Sequence, residues 1–159
     1  MPGMRARAAA GIKVGDEFRL SRTFTERDVL EFAKLSGDYN PVHFDTHYAQ
    51  LRAFKGPIAQ GLLTASLVTQ IGGQIGWLAT SMQFEFKRPV YAGDTVSCHW
   101  LIAEIDERGH ALAEVEVLDE TGDVVLQATT RGVLPSPRQR EHLREMLAQG
   151  DPSNGAGTQ

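Results

Sequence analysis

The sequence predicts an α+β domain in which an antiparallel sheet wraps around one buried helix. Residues 61–71 are apolar on almost every side and carry no charge, which is typical of a helix enclosed by other elements. Four strand-like segments follow, separated by turns rich in Gly and Asp: 81–86, 95–105, 110–118 and 124–133. A long helix followed by such a meander favours a layered helix-on-sheet arrangement.

The composition fits one domain with a hydrophobic core. The 159 residues are 42% hydrophobic and 23% charged, and the net charge of -4 offers no basic surface for nucleic acid. No apolar stretch reaches the roughly 18 residues of a membrane span, and no signal peptide is visible. The single cysteine, Cys98, cannot form an intrachain disulfide. We therefore predict a soluble cytoplasmic protein that binds neither nucleic acid nor membrane.

The domain boundaries follow from the two ends of the chain. Residues 1–13 are small, polar or basic and are predicted to be a flexible N-terminal tail. The folded body is predicted to span 14–134. Residues 135–159 are predicted to form a short C-terminal helix and a flexible tail, which begins at Gly150.

The first half of the folded body has readable start and stop signals. Residues 18–24 alternate apolar and polar side chains and predict a strand. Thr25 is a suitable N-cap for the next helix, which should stop at Gly37. Residues 46–51 predict a further helical turn or two, and the Gly72-Gly73 pair is predicted to end the central helix.

The loop after Gly37 carries a carboxylate and an imidazole, Asp38 and His43, five positions apart. Gly37 permits a positive φ, and Pro41 pushes Asn40 toward extended backbone, so the loop turns twice and both side chains can converge. Such a pair suits general acid–base chemistry. Taken alone, it also has a structural interpretation, in which Asp38 caps a turn and His43 is a partly buried histidine.

The residues around this pair resemble a known family. Ser-Gly-Asp-x-Asn-Pro-Val-His at 36–43, with Ala49 six residues later, resembles the signature of the MaoC-like, (R)-specific enoyl-CoA hydratases and dehydratases, a branch of the hotdog fold. Residues 56–67 resemble the start of that family's central helix, and 84–94 resemble its next strand and turn. The segments occur in the family's order over roughly residues 14–134. The resemblance implies a single hotdog domain.

The resemblance also implies a reaction, the reversible syn hydration of a trans-2-enoyl-CoA to an (R)-3-hydroxyacyl-CoA. The catalytic residues would be Asp38 and His43, which share one water, and Gly61, whose N–H would stabilise negative charge on the thioester oxygen. The sequence does not tell which of the pair is base and which is acid, because the two would share one water and both exchange protons with it.

The implied substrate is a thioester of coenzyme A or of acyl carrier protein, and no cofactor is expected beyond the coenzyme A that belongs to the substrate. The implied assembly is a homodimer or a dimer of dimers, with sheets joined edge to edge and an acyl tunnel along the interface.

Four more residues are predicted to contact the substrate: Asn40, Gln60, Leu62 and Ser66. Asn40 could hydrogen-bond the loop and set the angle of the pair, and Ser66 matches a serine that contacts the pair in relatives. A purely structural role is the alternative for both. Gln60 departs from the family, in which histidine commonly precedes the glycine. Glutamine still donates and accepts hydrogen bonds but cannot become a cation, which leaves substrate range and rate open.

The remaining candidates are weaker. The histidines outside the loop have no metal-site spacing, so no metal is predicted. Lys87 and Arg88 could meet the phosphates of coenzyme A or form a solvated pair at a strand end, and Cys98 is predicted to be a core thiol.

Two other functions stay open at this stage. One is an acyl-CoA thioesterase, in which the same carboxylate would aim water at the thioester carbonyl and a free thiol would appear. The other is a non-catalytic acyl-CoA-binding module, which would leave the retention of Asp38 and His43 unexplained.

Overall fold

A computed structural model describes residues 2–151 and 153, and these residues form five α-helices, one 3-10 turn and a five-stranded sheet. The helices are α1 (Met4–Ala10), α2 (Glu26–Ser36), α3 (Thr46–Leu51), α4 (Gly61–Gln74) and α5 (Pro137–Ala148). The strands are β1 (Glu17–Thr23), β2 (Leu78–Phe86), β3 (Thr95–Ile105), β4 (His110–Leu118) and β5 (Val124–Val133). Their spatial order is β1-β3-β4-β5-β2, with antiparallel neighbours throughout. The α+β architecture is confirmed.

The inner face of the sheet packs against α4. Side chains of β3 alternate between buried and partly exposed, as expected for a strand with one face on the core. Trp100 of β3 lies opposite Phe18 of β1 and Val115 of β4, and all three are buried. Three side chains of α4 are completely buried: Leu67, Val68 and Ile71. The prediction of a central helix enclosed by the sheet is therefore confirmed.

The helix that leads to the Asp38–His43 loop begins and ends where the sequence predicts. The Thr25 side chain accepts a hydrogen bond from the Asp28 N–H, and the Asp28 carboxylate accepts one from the Thr25 N–H. This reciprocal capping box satisfies two N–H groups that a helix start leaves free. Gly37 adopts a left-handed conformation with φ of 78°, which ends α2 and turns the chain into the loop.

The central helix is longer than predicted, because it continues through Gly72 and Gly73 to Gln74. The cost of a glycine in a helix is about 1 kcal/mol, and the burial of α4 outweighs it. Gly72 itself is buried, and a Cβ there would already touch Trp77 and come within 3.8 Å of the Trp100 ring. Gly72 therefore allows close packing, and the exposed Gly73 does not end the helix.

The prediction of a flexible tail over residues 1–13 is wrong for residues 4–10, which form α1. Ala8 and Ala9 are buried, and the helix is fixed by the buried side chain of Arg5. The Arg5 guanidinium forms an ion pair of 3.0 Å with Asp151 and donates hydrogen bonds to the main-chain carbonyls of Gly73 and Gln74. Arg5 thus satisfies carbonyl groups at the end of α4.

At the C-terminus, the predicted helix is confirmed as α5, which contacts α1 through a 2.6 Å hydrogen bond from Arg144 to the Ala9 carbonyl. The tail was predicted to be flexible from Gly150 onward. That prediction is wrong for Asp151, which is buried and paired with Arg5, while residues 152 and 154–159 lie outside the described part of the chain. No helix among the described residues is both long enough and apolar enough to cross a bilayer.

The Arg5–Asp151 pair predicts an asymmetric effect of two arginine substitutions on stability. Arg5→Ala should lower the free energy of unfolding by about 3 kcal/mol, because it leaves the buried Asp151 carboxylate without this cation. Arg19→Ala is the control: it removes an exposed ion pair with Glu17 and should change stability by less than about 0.5 kcal/mol. Urea denaturation measures both, and equal midpoints for the two variants would contradict the prediction.

Candidate active site

The loop between α2 and α3 is held by its own side chains. The Asn40 side-chain oxygen accepts a hydrogen bond from the Val42 N–H at 3.1 Å, which caps the 3-10 turn Pro41–His43. The Asp38 Oδ1 accepts one from the Asn40 N–H at 3.2 Å. Asn40 therefore sets the path of the loop, as predicted. The loop uses only Oδ1 of Asp38 and not Oδ2.

That second oxygen faces the imidazole. Asp38 Oδ2 lies 3.3 Å from His43 Nε2, so the structure brings together the two side chains that the sequence proposes as an acid–base pair. The His43 side chain is 8% exposed and that of Asp38 is 43% exposed. The pair therefore combines a nearly buried ring with a carboxylate that solvent reaches.

The other ring nitrogen of His43 fixes its tautomer. Nδ1 lies 2.7 Å from the main-chain oxygen of Ile58, and a carbonyl oxygen can only accept a hydrogen bond. Nδ1 therefore carries the hydrogen, and in the neutral ring the lone pair is at Nε2, on the side of Asp38. The ring can accept a proton at Nε2 from water, or donate one there when it is protonated.

Gly61 is the first residue of α4, and its N–H points out of the helix. The Gln60 carbonyl accepts hydrogen bonds from the N–H groups of Leu63 and Thr64, at 3.0 and 3.2 Å, and so points into the helix. Because C=O and N–H are antiparallel across a trans peptide bond, the Gly61 N–H points the opposite way. A donor at the positive end of a helix can stabilise a developing oxyanion.

The absence of a side chain at Gly61 has a second structural reason. A Cβ at this position would lie 2.7 Å from Cε1 of Phe86, which is closer than real contacts allow. Phe86 ends β2, and its ring remains 55% exposed. The sequence alone does not identify Phe86 as part of this site, because only the folded register of β2 brings it against the start of α4.

The four residues predicted to contact substrate have different surroundings. Leu62 is exposed beside Gly61, so its predicted contact with substrate stays a prediction, as does a direct contact by Asn40. Gln60 is buried, and its side-chain NH2 donates to the Val29 carbonyl of α2 at 2.9 Å. This side chain is directed into the protein rather than toward the loop pair.

Ser66 does not join the pair in this structure. Its hydroxyl donates a 2.5 Å hydrogen bond to the Leu63 carbonyl in the same helix, and no hydrogen bond links it to Asp38 or His43 among the described residues. A hydrogen bond from Ser66 to the pair is therefore not made, and the contact of Ser66 with substrate stays a prediction. The reason is physical: a serine inside a helix can satisfy its hydroxyl on the preceding turn.

The weaker candidates from the sequence, Lys87, Arg88 and Cys98, have surroundings of their own. Lys87 pairs with Glu85 at 2.6 Å, and Arg88 pairs with Asp123 at 3.2 Å. Cys98 is buried, as predicted, and burial raises the pKa of its thiol to about 12, so it is not a nucleophile at neutral pH. Within residues 2–151 and 153, no group of three or more His, Cys, Asp or Glu side chains is arranged to hold a metal ion.

One hydrogen-bond partner of the pair, a backbone carbonyl, cannot be identified from side-chain types. The Ile58 carbonyl orients His43, yet any residue carries a carbonyl, so residue type alone indicates nothing. The available signal is indirect: residues 56–67 resemble the family segment that starts the central helix, and Ile58 lies inside it.

Comparison with known proteins places this geometry in a family. A family model described as a MaoC like domain matches residues 8–124. The (R)-specific enoyl-CoA hydratase of Aeromonas caviae is 36% identical over 104 residues, which are 63% of this chain and 78% of that protein. A mitochondrial 3-hydroxyacyl-[acyl-carrier-protein] dehydratase, FERN, of Solanum lycopersicum is 32% identical over 130 residues, which are 79% of each chain.

Solved structures agree with the sequence relatives. The (R)-hydratase from A. caviae involved in PHA biosynthesis superposes with a TM-score of 0.74 at 32% identity and covers 79% of this chain and 98% of its own. The unliganded R-hydratase PhaJ1 from Pseudomonas aeruginosa has a TM-score of 0.74 at 28% identity, over 80% of this chain and 85% of its own. The predicted hotdog fold is confirmed. The matched family region contains Asp38, His43 and Gly61, and the chain belongs to the MaoC-like dehydratase family.

Proposed function

We propose that the chain is an (R)-specific enoyl-CoA hydratase, which adds water reversibly and syn to a trans-2-enoyl-CoA to form an (R)-3-hydroxyacyl-CoA. The observation that carries this proposal is the 3.3 Å approach of Asp38 Oδ2 to His43 Nε2. The names of the relatives from A. caviae and S. lycopersicum support the reaction class. The first name favours coenzyme A as the carrier, and the second keeps acyl carrier protein as the alternative.

In the proposed reaction one water lies beside the pair, within hydrogen-bond distance of both Asp38 Oδ2 and His43 Nε2. As the water oxygen bonds to the β-carbon, one of its protons passes to the pair, and the pair delivers a proton to the α-carbon. Addition is syn because both new bonds form on the face of the double bond that the pair approaches. The two side chains act together as acid and base. The pair gains one proton from water and gives one to the α-carbon, so it carries the same number of protons after each turnover.

The electrons of the double bond move toward the thioester oxygen when the β-carbon is attacked. We assign the Gly61 N–H as the donor that stabilises this enolate oxygen, because the peptide geometry points it out of the start of α4. No redox or group-transfer step occurs, so the proposed reaction needs no cofactor. We also propose a cytoplasmic location, in keeping with the reduced Cys98.

We propose that the enzyme is a homodimer joined through β2. This strand is at one edge of the sheet, and Met82 and Phe86 lie opposite the buried residues Thr130 and Leu126 of β5. Residues directly opposite in a pair of strands share a face, so these two side chains point to the inner side. They are nevertheless 36% and 55% exposed, and a second β2 would cover them.

The proposed chemistry predicts a large loss of activity when either member of the pair is removed. Asp38→Asn and His43→Ala should each lower kcat/KM for crotonyl-CoA by about 10²- to 10⁴-fold, because each removes a proton-transfer group. The loss of absorbance of the conjugated thioester measures the rate. Near-normal turnover by both variants would contradict the proposed mechanism.

The chain provides a matched control for this experiment. His110 Nδ1 also lies 3.3 Å from a carboxylate, that of Asp106, but this pair is exposed and lies where the turn after β3 meets the first residue of β4. His110→Ala should leave kcat/KM unchanged. A thiol-reactive dye in the same cuvette tests the thioesterase alternative, since release of free coenzyme A without loss of the double bond would indicate hydrolysis.

Gly61 can be tested together with Phe86. Gly61→Ala should lower both the melting temperature and kcat, because the new Cβ collides with the Phe86 ring and occupies space next to the oxyanion donor. In Gly61→Ala/Phe86→Leu the stability should recover, while kcat should stay about 10²-fold below that of Phe86→Leu alone. Full recovery of activity in the double variant would show that the glycine serves only the packing of Phe86.

The proposed dimer predicts a solution mass twice the chain mass of 17.4 kDa, measurable by light scattering. Met82→Lys places a charge on the uncovered inner face of β2 and should shift the protein toward monomer. Gln83→Lys, on the opposite face of the same strand, should remain dimeric. A fully active wild-type monomer would contradict the proposed assembly.

A further inference from the structure

Gln60 connects the two halves of the site. It immediately precedes Gly61, its side chain is 1% exposed, and its Nε2 donates a 2.9 Å hydrogen bond to the Val29 carbonyl. Val29 belongs to α2, the helix that ends at Gly37 and leads directly into Asp38. A single side-chain hydrogen bond thus ties the start of α4, which presents the Gly61 N–H, to the helix that carries the acid–base loop.

The orientation of the Gln60 amide follows from its partner. The Val29 oxygen can only accept, so the NH2 group must face it and Oε1 must point away. Among the described residues, Oε1 is buried without a hydrogen-bond partner. A buried acceptor without a donor is unfavourable, and an apolar side chain of similar size would avoid that cost. Within residues 2–151 and 153, the bond from Nε2 is therefore the only side-chain hydrogen bond that explains an amide at this position.

The main chain of Gln60 is fixed as well. Its carbonyl accepts hydrogen bonds from the N–H groups of Leu63 and Thr64, inside the first turn of α4. The peptide group between Gln60 and Gly61 is consequently held on one side by α4 and, through the side chain, on the other side by α2. The direction of the Gly61 N–H depends on the rotation of this same peptide group.

We propose that Gln60 is a positioning residue, which acts through the Gly61 N–H and fixes its direction relative to the Asp38–His43 pair. This inference rests on the proposed function, since it assigns a role within that reaction. It also replaces the expectation of a direct substrate contact by Gln60. The side chain is directed at α2 and away from the loop pair, so its effect on substrate passes through the backbone.

The test compares two substitutions that remove the donor. Gln60→Met keeps the length and the unbranched shape of the side chain without a donor, and Gln60→Leu replaces the donor with a branched apolar side chain. Either variant should lower kcat for crotonyl-CoA about 10- to 100-fold with KM changed less than about threefold, because a misdirected N–H loses contact mainly with the charged transition state. Two variants keep the test valid if one fails to fold.

A second readout reports the hydrogen bond to the thioester directly. Cinnamoyl-CoA is conjugated, and a donor that polarises its carbonyl shifts its absorption band to longer wavelength. The wild-type protein should show this shift on binding, and the Gln60 variants should lose most of it. Thr130→Val is the control: Thr130 is buried and hydrogen-bonded to Trp77 and Ser81. It lies four positions along β5 from Leu126, the partner of Phe86, so the variant should melt earlier but keep kcat and the shift.

The outcomes separate this inference from the proposed function. A wild-type protein that hydrates no enoyl-CoA would refute the proposed function itself. If the wild type is active, a folded Gln60 variant with the full absorption shift, or with kcat within about twofold of wild type, overturns the positioning role. Loss of both the shift and kcat in the Gln60 variants, with both retained in Thr130→Val, supports it.

Discussion

The burial of α4 inside the sheet is the constraint on which the rest of the molecule depends. Each fully buried aliphatic side chain contributes about 1.5–3 kcal/mol, and α4 has three of them: Leu67, Val68 and Ile71. Gly72 extends this contact to Trp77 and Trp100, whose rings meet edge to face with centroids 5.1 Å apart. A helix held on so many sides cannot rotate or slide, so the start of α4 has a defined place relative to the sheet.

The four residues before and at the start of α4, Ile58 to Gly61, transmit this rigidity to the acid–base pair. The Ile58 carbonyl receives the Nδ1–H of His43, and the Ile58 N–H donates to the Val42 carbonyl at 3.1 Å. The Ala59 N–H donates to the Val90 carbonyl at 2.7 Å. Proton transfer and oxyanion stabilisation therefore depend on one short, extended segment. Most of its hydrogen bonds are made by backbone groups, and the Gln60 side chain adds the bond to α2.

Much of the fold could be predicted from local signals. The bounds of β3, β4 and β5 follow from turns rich in Gly and Asp, and the cap at Thr25 follows from a carboxylate three residues later. Asp38 and His43 were identifiable because their side chains carry the chemistry. Tertiary packing decided the rest: α1 forms because Arg5 is buried against residues far along the chain, and α4 passes through two glycines because the core surrounds it.

The orientation of a buried side-chain amide likewise cannot be predicted from the sequence. Gln60 and Ser66 are both polar residues near the start of α4, and both looked equally suited to meet substrate. The structure turns the first toward α2 and the second onto its own helix. Side-chain type indicates which hydrogen bonds a residue can form, whereas the surrounding packing decides which one it forms.

The ion pair between Arg5 and Asp151 joins residues 146 positions apart and so constrains the order of folding. On the ribosome, Arg5 emerges 146 positions before its partner, which follows only after the whole sheet has been made. Until Asp151 has been made, the Arg5 guanidinium cannot form this ion pair and stays hydrated. The carbonyl groups at the end of α4 then lack the stable Arg5 contact of the folded protein. Contacts between residues so far apart in the chain form more slowly than local structure. The Arg5–Asp151 ion pair is therefore expected to form in the last step of folding.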